Sequence, residues 1–379
     1  KIFPLIYNFK STNTSTESNI INAPTLFKYN LRPIHNFGVD PESIGEPDYE
    51  THKNEAFSQF GFSESLNIYQ NGILTLSNQS NNSQMNYPEI VFLGTGSAIP
   101  NKTRNTSAIL VDIDENTCFL MDCAENTIGQ IFRFYGEEFE NQLKKIKAIY
   151  ISHLHADHHL GLLGLIKNRS LITSEKIDLI IPPVVNKWIQ HYNTNVEPIS
   201  HLYNIIPCFW FADSKGDQQK IEELLNKLNL QELRTVIVRH VKNSYGITFT
   251  TKQSNCKISY SGDCMPTEEF VAIGQNSDIL IHEATMEDDL SDEAIVKQHS
   301  TTSQAIDVGI LMKAKFTILT HFSQRYSKIP LLNEKFSNQV GIAFDNMRIN
   351  INDLQKLPLM LPVLKNLFQE HYDIMESKT

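Results

Sequence analysis

The stretch from Ile151 to Gly161, ISHLHADHHLG, concentrates side chains that bind metal ions. Within seven residues after a predicted strand it carries four imidazoles and one carboxylate, at His153, His155, Asp157, His158 and His159. Residues two apart in an extended segment point the same way, so His153 and His155 are expected to face one ion. Asp157 and His158 begin the next predicted helix and face a second ion, while His159 is expected to point outward. A polar surface loop is the alternative, but this density of ligand side chains favours a metal site.

Two coordination shells need more ligands than one loop supplies. His240, Asp263 and His321 stand at the ends of the predicted strands in TVIVRH, KISYSGD and FTILTH. Sites in α/β proteins gather at the carboxyl ends of strands. A single His in such a position is more often an ordinary hydrogen-bonding residue, but the shared placement of all three favours ligation. We predict one ion on His153, His155 and His240, a second on Asp157, His158 and His321, and Asp263 as the bridging carboxylate.

The elements that must position these residues begin near Glu89, where short apolar runs start to alternate with helical patterns. The pattern predicts strands at residues 89–93, 108–113, 118–121, 146–151, 179–181, 235–238, 257–260, 279–281 and 317–319. It predicts helices at residues 127–135, 160–167, 221–228 and 302–312. Interleaved strands and helices without a repeat indicate an α/β fold.

Composition and low-complexity stretches indicate the domain organisation and exclude some classes of protein. We predict an N-terminal tether at 1–87, with polar low-complexity stretches at 11–19 and 77–86, a catalytic domain at 88–352 and a helical tail at 353–379. No run of about 18 apolar residues predicts a membrane span, and no secretory signal is evident. Five scattered cysteines fit neither a disulfide framework nor a zinc knuckle, which favours an intracellular protein. A net charge of −10 argues against nucleic-acid binding over the whole surface but leaves local binding open.

The pattern HLHADHH, with a distant His, SGD and a final TH, resembles the metallo-β-lactamase superfamily. A closer resemblance, over about residues 87–352, is to the tRNase Z family, and it is carried by FLGTGSAIPNKTRN, SGDCMP, IHEAT, HSTTSQA and HFSQRY. It implies an αββα sandwich, in which two mixed β-sheets pack together with helices on both outer faces. It also implies an endoribonuclease that removes the 3′ trailer from precursor tRNA, leaving a 3′-hydroxyl on the tRNA and a 5′-phosphate on the trailer.

The segment KYNLRPIHNFGVDP resembles the long, eukaryotic form of this family. The resemblance implies that the chain is the carboxyl-terminal catalytic half, that a degenerate amino-terminal half of the same polypeptide is its partner, and that it works in the nucleus, the mitochondrion or both. Short enzymes of this family bind tRNA through a long arm that is commonly inserted between the corresponding His and the SGD segment. The 22 residues between His240 and Asp263 are too few for such an RNA-gripping arm. We therefore expect most of the affinity for tRNA to reside in the amino-terminal half.

The chemistry that the resemblance implies uses two divalent ions, with zinc expected and manganese or iron compatible with His and Asp ligands. Ions about 3.5–4 Å apart hold a hydroxide between them, and Asp157 is expected to position it. The departing ribose 3′-oxygen needs a proton, for which His299 is the candidate donor, oriented by Glu283. The alternatives are that His299 merely neighbours a helix cap, and that Glu283, like His282, is structural.

Substrate contacts are predicted at two places. Lys102, Arg104 and Asn105 of PNKTRN match a family loop near the end of the acceptor stem, which helps to reject tRNAs that already carry CCA, although an ordinary basic turn is the alternative. Ser323 and Arg325 are expected to clamp the scissile phosphate. The chain departs from the family at DCAENT, where DCGEGT is usual, and at Cys264, where Thr is common.

Three other readings remain open from the sequence. A small-molecule hydrolase of the same fold, such as a glyoxalase II-like enzyme, would have no use for PNKTRN. The RNA 3′-end nucleases of the superfamily carry a whole domain between the bridging Asp and the later His, but only 57 residues separate Asp263 from His321. A non-catalytic RNA-binding module would have lost ligands, whereas all seven positions are filled.

Overall fold

The computed structural model describes residues 29–30, 38–39, 49–79, 86–212, 216–326 and 328–377. Fifteen strands are found in this part of the chain: β1 (Tyr29–Asn30), β2 (Gly38–Val39), β3 (Glu89–Gly94), β4 (Ala108–Asp112), β5 (Cys118–Met121), β6 (Ile146–Tyr150), β7 (Ile177–Ile181), β8 (Tyr203–Pro207), β9 (Leu230–Ile237), β10 (Tyr245–Thr251), β11 (Lys257–Tyr260), β12 (Ile279–Glu283), β13 (Phe316–Thr320), β14 (Val340–Ile342) and β15 (Met347–Asn350).

The same residues form fourteen α-helices, most of which follow a strand. They are α1 (Tyr49–Ser58), α2 (Phe62–Gln79), α3 (Thr127–Tyr135), α4 (Phe139–Lys145), α5 (Ala156–His159), α6 (Leu162–Ser170), α7 (Pro183–Asn195), α8 (Phe209–Ala212), α9 (Gln218–Lys227), α10 (Glu268–Ile273), α11 (Ser291–Lys297), α12 (Thr302–Leu311), α13 (Leu357–Leu367) and α14 (Gln369–Glu376).

Two mixed sheets form the centre of the fold. The seven-stranded sheet has the order β15-β3-β4-β5-β6-β7-β8, antiparallel from β15 to β5 and parallel from β5 to β8. The six-stranded sheet has the order β14-β13-β12-β11-β10-β9, parallel from β14 to β11 and antiparallel at β10 and β9. Because the parallel strands of both sheets need crossover connections, helices return across the outer faces.

Apolar side chains pack between the two sheets and again beneath the helices. The rings of Phe119 on β5 and Phe249 on β10 meet edge to face with centroids 5.4 Å apart, and both belong to the buried cluster between the sheets. A second cluster joins the outer face of the seven-stranded sheet to α3, α6 and α7. Smaller clusters join α10 and α12 to the six-stranded sheet. Most strands are therefore buried on both faces, which explains why they read as continuous apolar runs.

The segment predicted as a tether contains two helices where the structure describes it, and one of them packs on the rest of the fold. Helix α2 runs to Gln79 and packs on α13, where a Cβ added at Gly72 would lie 2.7 Å from Leu359 Cδ1. The amide of Asn366 on α13 donates to the carbonyl of Gly61 at 2.9 Å and to Ser65 Oγ at 3.1 Å. The polar stretches 11–19 and 80–85 lie outside the described residues. The division at residue 87 and the role of this segment as a tether stay predictions.

No helix in the described part of the chain is both long and apolar enough to cross a bilayer. The predicted tail at 353–379 corresponds to α13 and α14, although its status as a separate unit stays a prediction.

Candidate metal centre and active site

The loops that follow β6, β9, β11 and β13 meet at one end of the two sheets. The loop after β6 carries the histidine cluster, and the loops after β9, β11 and β13 carry His240, Asp263 and His321. The tight turn after β11 depends on Gly262, which has φ +58° and whose added Cβ would lie 2.8 Å from Ser152 Cβ. The carboxyl ends of the strands thus bring distant residues together, as expected from their placement in the sequence.

Three imidazoles face one point together with Asp263. The Nδ1 atom of His155 lies 3.0 Å from His153 Nε2 and 3.1 Å from His240 Nε2. Asp263 Oδ2 lies 3.7 Å from His153 Nε2 and 3.9 Å from His240 Nε2. Burial lowers the pKa of all three histidines, most strongly that of His153, which favours the neutral form that binds metals.

A second group lies on the other side of Asp263. His158 Nε2 is 3.2 Å from His321 Nε2 and 3.2 Å from Asp263 Oδ2. His321 Nε2 is 3.4 Å from Asp157 Oδ2 and 3.4 Å from Asp263 Oδ1. Asp263 therefore lies between the two groups: its Oδ2 faces the first group and His158, and its Oδ1 faces His321. The structure brings together all seven predicted ligands in the predicted groups, and their role as ligands stays a prediction.

The nitrogen contacts of the second group fit a bound cation. Thr285 gives its hydroxyl hydrogen to Glu283 Oε2 at 2.5 Å, so it accepts from His321 Nδ1 at 2.8 Å. His158 Nδ1 similarly donates to Asp122 Oδ2 at 2.7 Å. Because both Nδ1 atoms are engaged by these acceptors, the two facing Nε2 atoms, 3.2 Å apart, are the ones left for a shared cation.

The distances also fit. Tetrahedral ligands about 2.0–2.1 Å from zinc are about 3.3–3.4 Å apart. The closest pairs within the two groups are 3.0–3.9 Å apart, and all ligand atoms of a group lie within 4.8 Å of one another. Asp263 Oδ1 is buried without a hydrogen-bond partner among the described residues, as expected for a carboxylate oxygen reserved for a metal. Although burial opposes it, the carboxylates of Asp263, Asp122 and Asp157 raise the pKa of His158, so the site attracts positive charge. A divalent ion would supply that charge.

Backbone conformation and hydrogen bonds fix the orientation of the ligands. His321 adopts φ +61°, which is costly for a residue with a Cβ and turns its ring toward the second group. His240 Nδ1 donates to the carbonyl of Gln298 at 2.9 Å, which leaves Nε2 for the centre. Asp157 Oδ2 accepts from the backbone N–H of Ala98 at 2.6 Å.

Asp122 was not anticipated as a functional residue. It follows β5 with φ +57°, and its Oδ2 also accepts from Ser152 Oγ at 2.9 Å and from Tyr260 Oη at 2.8 Å. Asp122 therefore fixes the tautomer of His158 from behind. Its position after a strand is the same signal that identified Asp263 and His321, so the sequence did contain a clue. In DCAENT, Asn126 takes the left-handed position, with φ +61°, in place of a glycine.

His299 lies beside the centre, paired with Glu283. Its Nδ1 is 2.8 Å from Glu283 Oε1 and 4.0 Å from Asp263 Oδ2. Burial disfavours the charged ring, but the Glu283 carboxylate outweighs it and raises the pKa of His299 to about 9. Glu283 Oε1 also accepts from the N–H of Cys264 at 2.9 Å. This geometry suits a protonated imidazole held by a carboxylate, while its catalytic role stays a prediction.

The predicted contacts of Arg104 and Asn105 with RNA are contradicted by burial. The Arg104 side chain is 1% exposed, and its guanidinium donates to Thr95 Oγ1 and to the carbonyls of Ala343 and Lys328. The Asn105 amide donates to the carbonyl of Glu125 at 3.1 Å. Both side chains are held by neighbouring segments of the protein, so neither is positioned to contact a phosphate. Lys102, by contrast, is exposed at the tip of the loop.

Other predicted residues lie as follows. Arg325 is exposed but forms a bidentate pair with Glu293, and Ser323 is half-buried next to it.

His159 does not point outward: it is 5% exposed, and its ring lies 4.5 Å from that of Trp188. His282 is fully buried, with Nδ1 against the Glu283 carbonyl, which favours a structural role. The Cys264 thiol is fully buried in an apolar cluster, so it is a packing group.

Comparison with known sequences gives the following similarities. A family model described as anti-Pycsar protein Apyc1 matches residues 88–339. Zinc phosphodiesterase ELAC protein 2 of Macaca fascicularis is 40% identical over 384 residues, which covers 97% of this chain and 46% of the relative. Ribonuclease Z, mitochondrial, of Drosophila melanogaster is 39% identical over 374 residues, which covers 97% of this chain and 47% of the relative. The chain thus spans about half the length of these relatives.

Comparison with solved structures agrees. A crystal structure of a long form RNase Z from yeast matches 79% of this chain and 46% of its own, with a TM-score of 0.71 and 29% identity. A metallo-beta-lactamase fold protein, YhfI from Bacillus subtilis, matches 69% of this chain and 99% of its own, with a TM-score of 0.55 and 17% identity. The second likeness concerns the fold alone. The predicted metallo-β-lactamase αββα sandwich is confirmed.

Proposed function

The chain belongs to the ribonuclease Z family and, through residues 88–339, to the family described as anti-Pycsar protein Apyc1, and from this premise we propose that it is a metal-dependent endoribonuclease that cleaves the 3′ trailer from precursor tRNA. The observation that carries the proposal is the convergence of seven ligand side chains beside a His299–Glu283 pair. A metal centre with an adjacent proton donor suits hydrolysis of a phosphodiester.

The metal ligands are proposed as two sets that share Asp263. His153, His155 and His240 would hold one ion, and Asp157, His158 and His321 the other, as their mutual distances support. The relative from Macaca fascicularis is named a zinc phosphodiesterase, and imidazole and carboxylate ligands suit zinc, so we propose two zinc ions. When bound, such a pair supplies a nucleophilic hydroxide at neutral pH and positive charge for the phosphate.

Asp157 is proposed to orient the attacking group as well as to bind metal. Its carboxylate is held by the Ala98 N–H at 2.6 Å and lies 3.4 Å from His321 Nε2, and its side chain remains 11% exposed. Solvent and substrate therefore have access to this carboxylate, whereas His153 and His158 are fully buried. Such a position suits a residue that contacts the nucleophile from the open side.

His299 is proposed to donate the proton that the departing ribose 3′-oxygen requires. The pKa of His299, about 9, keeps the ring protonated at neutral pH. Glu283 holds Nδ1 and so leaves Nε2 as the donor, while Thr285 links Glu283 to His321. The products are then a 3′-hydroxyl on the tRNA and a 5′-phosphate on the trailer. Glu283 acts here as a positioning residue.

The proposed substrate contacts are fewer than the sequence predicts. Lys102 at the tip of its loop and Ser323 with Arg325 beside His321 are proposed to meet the phosphates near the scissile bond. The relatives are about twice as long as this chain, which supports an amino-terminal half of the same polypeptide as a partner. The mitochondrial name of the Drosophila relative supports work in the mitochondrion, with the nucleus as a second location.

The test is incubation of the chain with a precursor tRNA that bears a 3′ trailer, with and without a chelator. We expect a cut after the tRNA body with a 3′-hydroxyl and a 5′-phosphate at the new ends, and loss of the cut on chelation. Asp157→Ala should abolish cleavage while RNA binding persists, and Asp373→Ala, an exposed carboxylate on α14, should leave cleavage intact. Cleavage that survives removal of metal would refute the mechanism.

A further inference from the structure

Glu293 on α11 lies between two cations at the rim of the candidate site. Its carboxylate accepts from Nη1 and Nη2 of Arg325 at 2.7 and 3.1 Å, and its Oε1 is 2.6 Å from Nζ of Lys297. Arg325 and Lys297 lower the pKa of Glu293 to about 2, so the carboxylate is ionised at neutral pH. The guanidinium of Arg325 therefore presents its fork to a protein carboxylate in the RNA-free chain.

This ion pair joins the two segments that carry His299 and His321. Helix α11 ends two residues before His299, whereas Arg325 lies four residues after His321. The His299 side chain is 13% exposed and the His321 side chain 3%, so solvent reaches the centre on the His299 side. The ion pair thus links the segments on either side of the more exposed edge of the centre, where we expect an RNA strand to approach.

The pair can be exchanged for a phosphate at little cost. The side chains of Arg325 and Glu293 are 55% and 28% exposed, and ion pairs at the surface contribute little to stability. A phosphate offers the same bidentate acceptor geometry to a guanidinium. It also attracts Lys297, which is 50% exposed and shares Glu293.

We propose that Glu293 is a built-in substitute for an RNA phosphate, which holds Arg325 and Lys297 at the rim until a backbone phosphate next to the scissile bond displaces it. The inference rests on the proposed nuclease function and adds a residue that sets its affinity. Uncharged ligands do not compete with the carboxylate for the guanidinium, so Glu293 favours an anionic strand over a neutral ligand. Arg325 then contacts substrate only after the exchange.

The test compares Glu293→Gln with the wild type on a precursor tRNA bearing a 3′ trailer at low salt. Because the competing carboxylate is lost, we expect the KM to fall about two- to fivefold, with a smaller change in kcat. The matched control is Asp292→Asn, which removes the same charge from the neighbouring residue of α11 and should change the KM by less than half as much. Arg325→Gln should raise the KM, and in that background Glu293→Gln should lose most of its effect.

Equilibrium binding of the same RNA, measured without metal, separates this inference from the nuclease proposal. Tighter binding by Glu293→Gln than by Asp292→Asn supports the exchange even if the wild type fails to cut. An unchanged or weaker affinity, or an equal gain in the two variants, overturns it. A merely structural ion pair would instead lower the melting temperature and kcat of Glu293→Gln without lowering its KM, which overturns the proposal as well.

Discussion

Asp122 holds three neighbours of the candidate metal centre at once. Its carboxylate binds His158, Ser152 and Tyr260, and its own side chain is fully buried. Asp122 is in neither proposed ligand set and is closed off from solvent, yet it decides which nitrogen of His158 is available. Carboxylates behind ligand histidines raise the basicity of the ring and fix its rotation.

We expect Asp122→Asn to weaken metal binding by about 10- to 100-fold. An amide has a single acceptor oxygen, and it attracts the Nδ1 proton of His158 less strongly than a carboxylate does. The measurement is a zinc competition titration with a chromogenic chelator. Asp178→Asn serves as the control. The Asp178 carboxylate binds Lys227 and lies near the start of β7, away from the strand ends that carry the candidate site. Equal zinc affinity in Asp122→Asn and the wild type would show that Asp122 is only a packing group.

His299 gives a second prediction at this scale. Replacing it with Ala should lower kcat about 10²–10⁴-fold, because the leaving oxygen loses its proton donor. Zinc content should remain at the wild-type value. The reason is that His299 belongs to neither of the two proposed ligand sets that share Asp263. Glu283→Gln should give a smaller loss, because the ring is retained but less well held. Loss of metal from His299→Ala would instead make the residue a ligand.

The candidate site was predictable from the sequence where chemistry and strand ends coincide. The seven proposed ligands share this signal, and the structure brings them together. Arg104 shows the limit of such reasoning, because a basic loop in the sequence does not reveal that Phe322 and Phe344 cover the guanidinium, at 4.6 and 4.8 Å from their ring centres. Tertiary burial, not residue type, decides whether a cation is available to RNA.

At the scale of elements, more of the strands than of the helices were predicted, although residues 127–135 were predicted with the bounds of α3. Residues 118–121 and 257–260 were predicted with the bounds of β5 and β11, because both strands are short, largely buried and bounded by turns. Helix α7 was missed although Pro183 begins it and Val185 and Ile189 share one face. The edge strand β8 was missed because its burial is incomplete and its apolar run is short.

The connection between β12 and α11 contains a buried carboxyl group with no metal role. Glu287 is 4% exposed, and its Oε1 accepts from the N–H of Leu331 at 3.0 Å. Burial, together with the nearby Asp288 and Asp289, raises the pKa of Glu287 to about 8. The folded protein thus retains a proton that the unfolded chain loses near pH 4.5. Stability from this group is complete below that pH and is lost as the pH rises through about 8.

We therefore expect Glu287→Gln to be more stable than the wild type at pH 9 by roughly 2–4 kcal/mol, and the difference to shrink by pH 5. Glutamine is neutral at both pH values and keeps the acceptor for Leu331. Urea unfolding of the metal-free chain at the two pH values measures the difference. Glu334→Gln, at an exposed position, controls for general charge effects. A pH-independent difference would show that Glu287 is ionised in the folded protein.

At the scale of the whole molecule, charge and architecture are consistent with the proposed catalytic unit and predict a limited affinity for RNA. The chain carries a net charge of −10, with 33 Lys and Arg against 43 Asp and Glu. The 22 residues between His240 and Asp263 form a turn, β10 and β11, so this connection contains no RNA-gripping arm. At the rim, Glu293 already engages two of the available cations.

Precursor tRNA should therefore bind this chain only weakly, with a Kd in the micromolar range or above at physiological salt. Few cations contact the backbone, so the slope of log K against log salt should be shallow, no steeper than about −3. Fluorescence anisotropy with Asp157→Ala, which does not cut the RNA, measures both quantities. Because the relatives are twice as long, a chain extended to their length should bind tighter and with a steeper slope. Nanomolar binding by the 379-residue chain would place the main RNA surface on the fold described above.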